Sequence, residues 1–113
     1  MINDKNIMLD LPKGWLPPNS EKAVQLYKEL QKELPDGHIL YNKAVTVVAH
    51  REGTDDILCQ YKDDETHFTV IHLTWSGKKE VDKGYPYVEC DGSFNDFLEY
   101  DIGNNGKFCI FEA

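Results

Sequence analysis

The hydrophobic period changes once along this chain, from a helical repeat to an alternating one, and that change most restricts its fold. Between Ser20 and Leu34, apolar residues recur every three or four positions, which predicts a helix at about 20–34 with Ser20 as its N-cap. From Lys43 onward the repeat becomes two, which is typical of strands. A helix followed by consecutive strands indicates an α+β fold.

Three β-rich runs follow, separated by short polar turns. They span residues 45–52, 56–62 and 66–75, an arrangement typical of an antiparallel meander. The first two runs are apolar at alternate positions. The third run has apolar residues at both odd and even positions, so we predict that it lies at the centre of the sheet and is covered on both faces.

Turn and capping residues define the two ends of the chain. Prolines and a glycine predict an irregular lead-in over residues 1–18. A short strand is expected at 87–90, and Ser93 caps a short amphipathic helix that Gly103 ends. Residues 107–112 alternate and suit a final strand. The complete prediction is a meander of three to five strands with an N-terminal helix and a short C-terminal helix packed on it.

Size and composition favour one globular domain, which we expect to span 1–113 of the 113 residues. The N-terminus lacks the cationic start and apolar run of a signal peptide, and no run is long enough to span a bilayer. We therefore expect a cytoplasmic protein with no membrane partner. Cys59, Cys90 and Cys109 are odd in number and lack CxxC spacing, which favours reduced, mostly buried thiols.

The net charge of −8 is carried by the second half of the chain. Residues 1–50 contain six acids and six lysines, whereas residues 51–113 contain fourteen acids and six bases. From Gly84 to Gly106 there are five acids and no base. Such a surface repels nucleic-acid phosphates and attracts basic proteins. The alternative is a solvated acidic face that only maintains solubility.

The sequence contains no P-loop, GxGxxG, GxSxG, HExxH or EF-hand pattern. The absence of these motifs does not exclude an enzyme, but as a binding protein the chain is predicted to have no cofactor, no metal and no catalytic residue. The strongest enzyme alternative is a small hydrolase or metal-dependent enzyme using His50, Asp56 and His72. The expected registers place Asp56 opposite His72, with His50 on the same face of the sheet. In the competing interpretation, these histidines are hydrogen-bonded structural residues of the sheet.

Acidic and aromatic residues are expected to gather at one end of the sheet, because turn 53–55 and the loop after the third run lie at the same end. Aromatic anchors among carboxylates are typical of a docking surface for a basic protein. The alternative is that the tyrosines pack over an open sheet end while the acids solvate the loop. The predicted partner-binding residues are Asp55, Asp56, Glu80, Asp82, Tyr85, Tyr87, Glu89 and Asp91.

One segment carries a family resemblance. Residues 70–80 read Val-Ile-His-Leu-Thr-Trp-Ser-Gly-Lys-Lys-Glu, preceded by Asp-Asp-Ile-Leu at 55–58 and followed by Tyr85-Pro86. This pattern resembles short acidic bacterial immunity proteins of contact-dependent growth inhibition and related polymorphic-toxin systems. The resemblance covers roughly residues 36–90 and is most specific in the His-Leu-Thr-Trp-Ser box.

The resemblance implies a cytoplasmic antitoxin that performs no chemistry. Such a protein binds the C-terminal domain of a cognate toxin 1:1 and blocks its active site. The toxin is expected to be a basic nuclease, in particular a ribonuclease, whose cationic cleft would accept carboxylates in place of phosphates. A structural adaptor that joins another sheet through a strand edge is a third possibility.

Overall fold

The computed structural model describes residues 10–103. Within them, five strands form one antiparallel sheet in the order β1-β2-β3-β4-β5, accompanied by two helices. The α+β prediction, with a meander, an N-terminal helix and a short C-terminal helix, is confirmed. The elements in chain order are β1 Trp15–Leu16, α1 Ser20–Glu33, β2 Val45–Arg51, β3 Asp56–Tyr61, β4 Phe68–His72, β5 Tyr87–Gly92 and α2 Phe94–Asp101.

Helix α1 forms where the apolar period predicted it, with one correction at its start. The N-cap is Asn19 and not Ser20, because the Asn19 side chain accepts the backbone N–H of Lys22 at 2.8 Å. Leu26 and Leu30 are buried on the side of the helix that faces the sheet. The helix therefore covers one face of the sheet through the stripe expected from the sequence.

Two hydrophobic clusters lie on opposite faces of the sheet. The α1 cluster joins that helix to inward side chains such as Ile57 and Ile71, and the α2 cluster joins Leu58 and Val70 to Phe97. Strand β4 is covered on both faces, as predicted. It is not central, however: β3 is the middle one of the described strands and is also buried on both faces. Residues 10–103 are thus arranged in three layers, helix, sheet and helix.

The sequence predicted an irregular lead-in over residues 1–18, but part of this segment is a strand. Trp15 and Leu16 pair with Arg51 and His50 and form the short strand β1. The Trp15 ring is buried against Phe97, with ring centroids 5.0 Å apart at an angle of 84°. Burial of a large aromatic side chain outweighs the local preference of a proline-rich segment for irregular structure.

Helix α2 begins with the capping predicted at Ser93. The Ser93 hydroxyl accepts the backbone N–H of Asp96 at 3.0 Å, and the Asp96 carboxylate accepts the N–H of Ser93 at 2.9 Å. Phe97 is buried, but Ile102, which the sequence placed on the apolar face, follows the helix as its C-cap and is 48% exposed. The reciprocal cap fixes the position at which α2 leaves β5.

The strands predicted between residues 45 and 90 are all observed, in the predicted order, and differ from the predictions in length. The first two β-rich runs are confirmed within a residue as β2 and β3, and the short strand at 87–90 extends to Gly92 as β5. The third run, predicted over 66–75, is shorter at both ends, since β4 begins at Phe68 and ends at His72. The predicted strand at 107–112 lies outside the described residues. Neither α1 nor α2 has the length and apolar character needed to cross a membrane.

Candidate functional site

The end of the sheet that carries turn 53–55 also carries the loop after β4, as predicted. The backbone N–H of Leu73 donates to the carbonyl of Asp55 at 3.0 Å, and the Trp75 indole N–H donates to the Asp55 carboxylate at 3.1 Å. Trp75 adopts a positive φ of 57°, which turns the chain out of the sheet immediately after the strand. Trp75 is left 40% exposed at this sheet end.

Two glutamates of α1 hold the beginning of this loop. The two carboxylate oxygens of Glu33 accept the backbone N–H groups of Thr74 at 2.9 Å and Trp75 at 2.7 Å. Glu29, one helical turn earlier, accepts the N–H of Gly77 at 2.9 Å. Acids spaced by four residues on a helix are commonly solvated, so sequence reasoning missed this contact. The sequence did contain one signal of this contact, because both acids lie beside the buried apolar stripe of α1 and four residues apart, which places them on the same side of the helix.

The two carboxyl groups also interact with each other. Burial and, after it, the hydrogen bond to Glu29 raise the pKa of Glu33 to about 7. The same hydrogen bond lowers the pKa of Glu29. Glu33 therefore loses its proton only near pH 7, whereas Glu29 ionises at lower pH.

Glu80 closes the loop from its far side. Its carboxylate accepts the hydroxyl of Thr74 at 2.6 Å and that of Ser76 at 2.8 Å. These hydrogen bonds, Thr74 first, lower the pKa of Glu80. Glu80 thus stays ionised beside Trp75, within the group expected from the sequence.

Tyr85 and Tyr87 lie at the same sheet end. Tyr87 is paired with His72 across β4 and β5, and the two tyrosine ring centroids are 6.3 Å apart. They are 47% and 55% exposed. Between them, the carbonyl of Pro86 accepts a hydrogen bond from Nε2 of buried His38 at 2.7 Å, while Nδ1 of the same ring accepts the N–H of Leu40. His38 is therefore a structural residue that holds this segment in place.

Strands β3, β4 and β5 bring together a carboxylate–histidine cluster, made of Asp56, His72 and Glu89. Asp56 pairs with His72, as predicted, and the His72 Nδ1–H donates to Asp56 Oδ1 at 2.8 Å. Glu89 Oε2 lies 3.5 Å from the same nitrogen. The hydrogen bond to Asp56 raises the pKa of His72. Burial raises the pKa of Glu89, whose other oxygen accepts the hydroxyl of Tyr100.

His50 does not join this cluster, which corrects the predicted constellation of His50, Asp56 and His72. The register between β2 and β3 shifts after Val47, so that His50 pairs with Ile57 and not with Asp56. Because adjacent strand residues point to opposite faces, this shift places His50 on the α1 side. Burial lowers its pKa, and Lys22 of α1 lowers it further.

Asp91 also lies away from the sheet end at which it was predicted. It pairs with Thr69 at the opposite end of β5 and accepts the Thr69 hydroxyl at 2.6 Å. The same oxygen lies 2.8 Å from Nε2 of His67. Strand β5 is long enough to carry Tyr87 and Asp91 to opposite ends of the sheet. Asp82 remains with the tyrosines, because its backbone carbonyl accepts the N–H of Tyr85 at 3.0 Å.

We define the sheet-end surface as the residues that gather around the loop after β4 and the start of β5. Trp75 is the member that sequence reasoning did not include, because its place in the alternating pattern assigned it to the strand. The sheet-end surface comprises Asp55, Asp56, Trp75, Glu80, Asp82, Tyr85, Tyr87 and Glu89.

The described cysteines are free thiols, as expected, and Cys109 lies outside the described residues. Cys59 is buried in the α1 cluster, which raises its pKa to about 12. Burial also raises the pKa of Cys90. Both shifts disfavour the thiolate form that a nucleophile requires.

Comparisons with family models, with curated proteins and with solved structures give no match to this chain.

Proposed function

We propose that this chain is an immunity protein that binds and blocks the active site of a basic toxin domain, and that it does so through the sheet-end surface. One observation carries the proposal: three exposed aromatic rings and several carboxylates converge on one end of a rigid sheet. The family resemblance of residues 70–80 points to the same class of protein. We place the protein in the cytoplasm, where such a toxin would act.

The aromatic residues supply the contact area that the proposal needs. Trp75, Tyr85 and Tyr87 are between 40% and 55% exposed, so much of each ring is available to a partner. Tryptophan and tyrosine are enriched among residues that contribute most to protein–protein affinity. Because hydrogen bonds to Asp55 and Pro86 fix their surroundings, little conformational entropy is lost on binding.

The carboxylates supply charge complementarity to a cationic cleft. Asp55 and Asp82 are exposed, and Glu80 is held ionised by its hydrogen bonds. One lysine of the same loop is paired with an acid outside the sheet-end surface, since Lys79 Nζ lies 3.4 Å from Asp36, whereas Lys78 partly offsets the charge of Glu80. The negative charge therefore faces a partner with less compensation than the sequence count alone indicates. Carboxylates so placed can occupy the positions of substrate phosphates in a nuclease.

Co-expression tests the proposal directly. The chain should protect cells from the toxic C-terminal domain encoded beside its gene, and the two proteins should co-purify 1:1 with sub-micromolar affinity. If the toxic domain remains lethal in the presence of abundant, folded wild-type chain, the proposal is wrong.

Charge reversal then locates the interface. Asp55→Lys with Asp82→Lys should slow association at low salt by at least about tenfold and flatten its salt dependence, because steering contributes that much to association rates. The matched control is Asp63→Lys with Glu65→Lys, which makes the same change of charge in the exposed turn at the opposite sheet end. Equal slowing by both pairs would show that only net charge matters and would exclude this surface.

An enzymatic role is tested with the same assay. The double substitution His50→Gln and His72→Gln should leave protection largely intact, because neither histidine carries an aromatic anchor or a fixed negative charge. Loss of protection together with loss of a measurable turnover would favour the hydrolase alternative over the inhibitor.

A further inference from the structure

We propose that the carboxylate–histidine cluster of Asp56, His72 and Glu89 binds a divalent first-row transition metal ion, with Zn²⁺ as the reference ion. One nitrogen and two carboxylate oxygens, drawn from three adjacent strands, lie within 4.8 Å of one another. Asp56 and Glu89 also belong to the sheet-end surface, but metal binding is measured on the purified chain alone and so is tested independently of the inhibitory role proposed above.

The geometry of the cluster suits such an ion. Zinc binds imidazole nitrogen and carboxylate oxygen at about 2.0–2.2 Å, so two of its ligand atoms lie about 3.3 Å apart in a tetrahedral site. His72 Nδ1 is 2.8 Å from Asp56 Oδ1 and 3.5 Å from Glu89 Oε2. Both separations are within about half an ångström of that value. Small side-chain adjustments therefore suffice to admit the ion.

The ligands are held by rigid elements and by a further hydrogen bond. Asp56 and His72 are directly paired strand residues, and the backbone N–H of Asp56 is fixed by the Thr54 hydroxyl at 3.1 Å. The Tyr100 hydroxyl donates to Glu89 Oε1, which leaves Oε2 on the side of His72. A donor behind a ligating carboxylate is the usual support of a protein metal site.

The charge balance of the cluster also favours a cation. Asp56 and Glu89 side chains are only 11% and 20% exposed, yet among residues 10–103 neither has an ion pair with a lysine or arginine. Their ion-pair partner in that range is His72, whose side chain is 46% exposed. A divalent ion would neutralise both carboxylates and could enter past the exposed imidazole. A mixed set of one nitrogen and two oxygens suits zinc, manganese or cobalt better than calcium, which prefers six to eight oxygens.

Zinc titration of the reduced, purified chain by calorimetry tests the assignment. We expect saturable 1:1 binding, weakened at least about tenfold by His72→Gln and by Glu89→Gln, since each removes one of three protein ligands. Tyr100→Phe should weaken it by a smaller factor, because it removes a supporting group and no ligand. Cobalt substitution should give a visible absorption band that both ligand variants lose.

The second histidine–carboxylate pair of the sheet provides the matched control. His67 Nε2 lies 2.8 Å from Asp91, but no third ligand accompanies them among the described residues. His67→Gln should therefore keep the affinity of the wild type, as should Cys90→Ser. Zinc should also raise the thermal midpoint of the wild type and of His67→Gln, and should raise that of Glu89→Gln by clearly less.

Three results would each overturn the site. One is the lack of saturable zinc binding up to 1 mM. Another is wild-type affinity in both His72→Gln and Glu89→Gln while they remain folded, as judged by far-UV circular dichroism. The third is an equal loss of affinity in His67→Gln, which would indicate nonspecific binding by exposed histidines.

Discussion

Replacing Glu33 with alanine is expected to destabilise the protein by about 2–3 kcal/mol, because it removes the only acceptor observed for two backbone N–H groups in the described part of the chain. Glu33 is fully buried, and its two oxygens accept the N–H groups of Thr74 and Trp75 at 2.9 and 2.7 Å. An unsatisfied donor costs about 1–3 kcal/mol. Both donors are partly buried, so water can reach them and the lowest quarter of the summed range of about 2–6 kcal/mol applies.

Urea unfolding followed by tryptophan fluorescence measures this loss. With a denaturant dependence of about 1.5 kcal/mol/M, which is typical of a small domain, the midpoint should fall by roughly 1–2 M. Gln31→Ala is the matched control, since it truncates an exposed side chain of the same helix and should change stability by less than about 0.5 kcal/mol. Amide exchange at residues 74 and 75 should accelerate in Glu33→Ala alone.

The reasoning would be refuted by a Glu33→Ala protein as stable as Gln31→Ala. It would also be refuted by a large loss of stability without faster exchange at residues 74 and 75. The second result would mean that Glu33 acts through helix α1 and not through the loop. Only a loss of stability accompanied by faster local exchange supports the assigned hydrogen bonds.

Three further predictions concern pH, capping and packing. Because the folded-state pKa of Glu33 is raised from 4.5 to about 7, the folded chain retains a proton that the unfolded chain releases between these values. The free energy of unfolding should therefore fall as pH rises through that window, by up to about 1.4 kcal/mol per pH unit, and Glu33→Gln should remove this contribution while that of Glu89, whose pKa is also raised, remains. Ser93→Ala should cost about 1 kcal/mol by removing the cap of α2, whereas exposed Asn95→Ala should not destabilise the protein. Phe97→Ala should cost about 3–5 kcal/mol in a thermal or urea unfolding series, because its ring is almost wholly buried in the α2 cluster.

The elements that sequence reasoning predicted correctly are those set by local patterns. The helix at 20–34, the meander and the Ser93 cap each depend on residues close together in the chain. The register between β3 and β4 was also predicted, because the turn at 63–65 joins two strands whose pairing contains no irregularity. Asp56 therefore meets His72 as expected.

Two β-bulges account for the main errors in the predicted site. One lies between Val47 and Ala49 and turns His50 to the α1 face. The other lies between β4 and β5, where Ile71 pairs with Val88 but Val70 pairs with Cys90, so that Glu89 is the extra residue. A shift of one residue exchanges the two faces of a strand, and no local sequence pattern fixed either shift here. The contacts of Glu29 and Glu33 were missed for a related reason, since their donors lie more than forty residues away in the chain.

The same irregularity that removes regular pairing at Glu89 places its carboxylate beside His72 and Asp56, and this has consequences for both proposed roles. Asp56 and Glu89 belong to the sheet-end surface and also to the carboxylate–histidine cluster. A bound divalent ion would cancel two negative charges at the position offered to a basic partner, so ion and partner should oppose each other's binding. Thermodynamic linkage requires the effect to be reciprocal. The factor by which zinc lowers the affinity for the partner equals the factor by which the partner lowers the affinity for zinc. Exposed Asp55 and Asp82 lie outside the cluster and keep their charge in either state, so reversal of those two residues probes docking without removing a metal ligand.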